Sequence, residues 1–150
     1  MAVADCAKVD NIEWIRRQMG PDSRILLFAH RDHLAGSRST IRLPGHFEAW
    51  TLPPMAGEYL KRRYGSDLVT IAHFFSREAI RPGEPAIDAA PGTIEARLAS
   101  LGLPHLLLDL RSAPPPVAAW LATRHELFGV TPWNTTVLGE THDAVYFSNS

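Results

Sequence analysis

Arg24-Ile25-Leu26-Leu27-Phe28-Ala29-His30-Arg31-Asp32-His33 is an apolar run that stops abruptly in four polar residues. Residues 25–29 show no polar alternation, which predicts a strand buried on both faces. In open parallel sheets, ligands bind beyond the carboxyl ends of the strands. The run therefore places His30 and His33 at the expected mouth of a site.

Working outward, Val9, Ile12, Ile15 and Met19 have helical spacing, and Gly20-Pro21 closes that helix. A second helix is expected over 55–64, stopped by Gly65, and a second apolar strand over 68–75. Thr93 is a candidate N-cap, with Glu95 in the first turn of a third helix ending near Gly102. A third strand is expected over 105–110. Pro114-Pro115-Pro116 leads into a helix ending near Arg124, and residues 144–147 form a last strand. Strands alternating with helices imply parallel pairing through right-handed crossovers. The expected fold class is α/β, a mostly parallel sheet with helices on both faces in three layers. Residues 34–54, with Gly36, Pro44, Gly45, Pro53 and Pro54, are expected as a long loop bordering the site.

The 150 residues suit one domain able to bury roughly 70% of its unfolded surface. Hydrophobic residues make up 45% and charged residues 21%, an ordinary globular balance that argues against disorder. Fifteen basic residues face 16 acidic ones, for a net charge of −1. That balance leaves no electrostatic footprint for nucleic acid or an anionic membrane as partner. Cys6 stands alone, which excludes an internal disulfide and suits a reducing compartment. No leader pattern opens the chain and no apolar run approaches the length of a membrane span, so the expected location is the cytoplasm.

Histidine titrates near neutral pH and serves as base, acid or hydrogen-bond donor. His30 and His33 are accordingly the candidate catalytic pair. Arg31 could hold an anionic group of a substrate, and Asp32 could orient a ring. Two solvated loop histidines, or a His-x-x-His metal chelate lacking a third ligand, fit the same spacing. His46 and Glu48 could approach the mouth from the long loop, with His46 a candidate for binding substrate. His73 reads as a hydrogen-bonded core histidine. Asp109 and Arg111 end a strand as either a buried structural pair or a catalytic one. No nucleophile elbow, dinucleotide fingerprint or P-loop is present, so no cofactor is expected.

Beyond spacing, Asp10-Asn11-Ile12-Glu13-Trp14-Ile15 followed by Ala29-His30-Arg31-Asp32-His33 resembles the erythromycin esterase family, whose strand ends in Ala-His-Asn-x-His. Met55-Ala56-Gly57-Glu58-Tyr59-Leu60 through Tyr64-Gly65-Ser66-Asp67 is similar to its Met-Gly-x-x-Leu and Tyr-Gly-Asp blocks. Pro91-Gly92-Thr93-Ile94-Glu95, Leu107-Leu108-Asp109-Leu110-Arg111 and Asp143-Ala144-Val145-Tyr146-Phe147 continue the likeness in order. The resemblance implies the C-terminal part of an erythromycin-esterase-like domain over 1–150. It implies metal-independent hydrolysis of a macrolide lactone or another carboxylic ester by histidine-activated water, and hence antibiotic resistance. His30 and His33 match the family's C-terminal histidine pair, while Arg31 replaces its usual Asn. The family's base lies in an N-terminal portion, and nothing before Val9 is expected to supply it. A separate N-terminal polypeptide, or self-association through uncovered apolar surface, is the implied partner. The alternatives are a non-catalytic truncated remnant that binds a small molecule or a protein, and a small metal-dependent hydrolase.

Overall fold

The computed structural model describes residues 2–38, 40–42, 49–79, 83–128 and 134–149. In chain order the elements are α1 (Ala2–Met19), α2 (Arg31–Leu34), β1 (Thr40–Arg42), β2 (Ala49–Thr51), α3 (Ala56–Tyr64), β3 (Ile71–Phe75), β4 (Arg77–Glu78) and β5 (Ile87–Asp88). They continue as α4 (Ile94–Ala99), β6 (His105–Asp109), α5 (Pro115–Leu121), β7 (Arg124–Glu126), β8 (Asn134–Val137), α6 (Leu138–Thr141) and β9 (Ala144–Ser148). Among the described residues no helix is long and apolar enough to cross a membrane.

Local signals set most of these boundaries. Gly20 takes φ 91° after Met19, a conformation that favours glycine, so α1 stops where the Gly-Pro pair predicts. Upstream, α1 begins about two turns before the apolar periodicity does. The Thr93 hydroxyl accepts from the Ala96 N–H at 3.2 Å, the expected N-cap of α4.

The central sheet has the order β3-β9-β6. β9 runs parallel to β3 and antiparallel to β6, so the architecture is mixed α/β with a small mixed sheet. The expected parallel return from β6 assumed one crossover helix. The chain instead inserts β7, β8 and α6 between α5 and β9, and enters β9 reversed. β7 and β8 join β1 and β2 in a second, antiparallel sheet of order β2-β1-β8-β7. β1 and β2 fall within 34–54, the segment expected as a loop.

Alternation gives the central sheet two unlike faces. Ala72, Phe74, Val145 and Phe147 point to one side, are fully buried, and pack with Ile94 of α4, Leu121 of α5 and Leu138 of α6. Burying each Phe stabilises the fold by roughly 1.5–3 kcal/mol. The opposite face carries Ile71, 55% exposed, and Leu107, 66% exposed. Helices thus cover one face among the described residues.

The 25–29 run departs most from expectation. It forms no strand, and Leu26 and Phe28 are 96% and 91% exposed. Its composition is that of a doubly covered strand, but no described layer lies over it to exclude water. Leu27, Phe28 and Ala29 instead line a pocket together with Ile71, His73 and Phe75 of β3.

α3 fixes the position of α2, the short helix after this run. Gly57 sits so close to α2 that a Cβ there would lie 2.1 Å from the Leu34 carbonyl oxygen and 2.6 Å from that of Ala35. Both are backbone atoms and cannot swing aside. Gly57→Ala is expected to destabilise the fold by about 1–3 kcal/mol and to displace α2. A thermal melt and the amide chemical shifts of residues 30–36 check this; an unshifted melt with unmoved amides contradicts it.

Candidate functional site

His30 ends the apolar run and caps α2, its Nδ1 accepting from the Asp32 N–H at 3.4 Å. One helical turn on, His33 presents its ring 6.3 Å from that of His30, edge to face. The predicted pair is therefore brought together. His30 also lines the apolar pocket formed by Leu27, Phe28, Leu34, Ile71 and Phe75, of about 290 Å³.

Arg31, between the two histidines in sequence, also lines this pocket, while its guanidinium is held by the core. Its Nη1 donates to Glu95 Oε1 at 2.9 Å, its Nη2 to the Phe128 carbonyl, and its guanidinium lies 4.9 Å from the Phe74 ring centre. Glu95 is fully buried, and its other oxygen accepts from the Phe128 N–H at 3.0 Å. Burial pushes the Glu95 carboxyl up, against the pull of the Arg31 charge. The cation expected to face substrate is thus bound on both nitrogen termini by the core. It anchors α2 to α4, 64 residues away.

Two further groups complete the surroundings. His142 is buried, with Nδ1 3.0 Å from Thr141 Oγ1 and no partner for Nε2 among the described residues. Burial, and then the charge of Arg31, push its pKa down to about 4, so it stays neutral. Asp5 of α1 is also fully buried, its Oδ1 lying 3.0 Å from His33 Nδ1 and accepting from Lys8 Nζ at 2.9 Å. Burial works to raise the Asp5 carboxyl, but the Lys8 hydrogen bond and the neighbouring His33 outweigh it, and the net shift is downward.

Asp5, ahead of Val9, was not among the site residues read from the sequence, yet its carboxylate lies against His33. The available signal was weak: an acidic residue in a first helical turn, three residues from a lysine. His46 lies outside the described residues. Asp109 and Arg111 pair with each other in solvent, Arg111 Nη2 donating to Asp109 Oδ2 at 2.7 Å. The side-chain and backbone hydrogen bonds from Arg111 hold the Asp109 carboxyl down to about 2. His73 lies half-buried on the open sheet face, 3.0 Å from Ser148 Oγ, and burial pushes its pKa down. Among the described residues no group of three His, Cys, Asp or Glu side chains could hold a metal ion.

The family model for erythromycin esterase matches residues 1–150. The chain belongs to the erythromycin esterase family. A crystal structure of a protein from Bacillus cereus matches at TM-score 0.73 and 18% identity, covering 97% of this chain and 37% of that one. A succinoglycan biosynthesis protein matches at TM-score 0.55 and 21% identity, covering 65% of this chain and 27% of that one. At such identities the likeness is one of fold. This erythromycin esterase family chain spans about a third of the length of the Bacillus cereus protein. Comparison with curated proteins gives no match.

Proposed function

We propose that this chain carries the paired-histidine part of a carboxylic-ester hydrolase of the erythromycin esterase type. The substrate is a macrolide lactone or another ester, and water activated by histidine attacks its carbonyl. The observation that carries this reading is His30 in the lining of an apolar pocket with the His33 ring 6.3 Å from its own. Preorganised donors beside a carbonyl stabilise the charge that develops on its oxygen. Arg31 lines the same pocket, and with its guanidinium held by Glu95 and Phe128 it anchors the helix that carries His33.

The exposed Ile71, Leu107, Leu26 and Phe28 support a missing cover. An N-terminal segment, supplied separately or in one polypeptide, lies over this face, adds the outer layer of a three-layer fold and completes the cleft. The lone Cys6 supports a cytoplasmic location, where macrolide hydrolysis confers antibiotic resistance.

The chain is joined to, or co-expressed with, an N-terminal segment of a family enzyme. Release of acid from macrolides and from simple nitrophenyl esters is then monitored. Turnover that is lost in His30→Ala is expected. An inactive joined protein overturns the reading in favour of a non-catalytic binding module, and full activity in His30→Ala overturns the catalytic role of the pair.

A further inference from the structure

The two histidines use their Nδ1 atoms in opposite ways. Asp5, with a side chain 1% exposed, places Oδ1 3.0 Å from His33 Nδ1. An ionised carboxylate only accepts, so His33 must donate from Nδ1. Its Nε2 is then left with a lone pair in the neutral ring. The Asp5 carboxyl is held below its usual range, which keeps it ionised at neutral pH. Lys8 binds the same oxygen at 2.9 Å and offsets part of the desolvation, Oδ2 having no partner among the described residues. His30 has the converse arrangement, because its Nδ1 accepts from the Asp32 N–H. The proton of neutral His30 therefore sits on Nε2.

We propose that Asp5 is a positioning residue that locks His33 with a bare Nε2, beside a His30 that carries its proton on Nε2. The pair then presents one acceptor and one donor. His33 can accept a hydrogen bond from the attacking water, while His30 donates to the carbonyl oxygen. A carboxylate that orients an imidazole in this way sets its tautomer and need not itself take up a proton. The catalytic meaning of this arrangement rests on the esterase reading above; the tautomer assignment does not.

The test uses the chain labelled with 15N at histidine, with ring resonances tracked by long-range 1H–15N correlation as pH is raised until the rings are neutral. His33→Gln identifies the His33 signals and His30→Gln those of His30. Expected is a protonated Nδ1 and bare Nε2 on His33, with the opposite pattern on His30. In Asp5→Ala the acceptor is lost, and His33 is expected to shift to the Nε2–H form that a free imidazole prefers. Should Asp5→Ala fail to fold, the wild-type spectrum decides alone. A His33 protonated on Nε2 in wild type, or unshifted in a folded Asp5→Ala, overturns the proposal.

In the joined enzyme, Asp5→Ala is expected to lower kcat at least 100-fold with little change in KM, and Asp5→Glu to recover part of it. Undiminished kcat in Asp5→Ala overturns the positioning role. If the wild-type joined enzyme turns over no ester, the esterase reading fails while the ring assignments still stand or fall on the spectra.

Discussion

Glu95→Ala is expected to destabilise the fold by about 3–5 kcal/mol, the range for removing one partner of a buried ion pair. Arg31 would keep its charge inside the protein with the Phe128 carbonyl, the Phe74 ring and an Asp32 carboxylate 3.8 Å from Nε. The Phe128 N–H would lose its acceptor as well. Domains of this size commonly have only about 5–15 kcal/mol of stability, so the loss takes a large share. The melting temperature should fall by roughly 10 °C. The poorly compensated charge causes most of this, so Arg31→Met combined with Glu95→Leu should recover much of the loss. A melt of Glu95→Ala within about 3 °C of wild type would show that the pair is not the anchor of α2.

The second large effect is acid sensitivity set by His142. Its folded pKa, about 4, lies below the unfolded value of 6.5. Between those values the unfolded chain binds the proton and the folded chain refuses it. Stability is therefore present above about pH 6.5 and declines as pH falls toward 4. The loss approaches about 3 kcal/mol, or roughly 6–12 °C in the melt. Glu95 acts in the opposite sense, since its raised carboxyl favours the folded state as pH falls toward 4.5. His73, lowered by burial, acts in the same sense as His142. Comparing wild type with His142→Gln across pH 7 to 4 removes both contributions. The wild-type curve should fall relative to the variant's; parallel curves would show that His142 is not the acid-sensitive group.

Much of the fold was legible because it depends on near neighbours. The 3.6-residue spacing of Val9, Ile12, Ile15 and Met19 marks a helix wherever that helix packs. Thr93 caps α4 through a bond to Ala96, three residues away. The apolar strands at 105–109 and 144–148 appear where their composition puts them. β7 and β8 were not legible because three or four residues are too few to show a period, and their omission turned an antiparallel return into an expected parallel one. The histidine pair was legible for the same local reason, being one helical turn apart after an apolar run.

The sequence by itself determined the helix and strand periods, the stops at Gly20 and Gly65, and the meeting of His30 with His33. Each depends on bonds and contacts spanning a few residues. Only the tertiary structure decided that Arg31 turns inward to Glu95, that Asp5 reaches His33 across 28 positions, and that residues 25–29 stay out of the sheet. These outcomes depend on which distant surfaces meet and which face is covered. An arginine reads the same whether it faces a substrate or a buried carboxylate. An apolar run likewise reads as a buried strand whether or not a layer lies over it. Burial and charge pairing are properties of the assembled chain, and here they assign Arg31 to the core and Asp5 to the histidines.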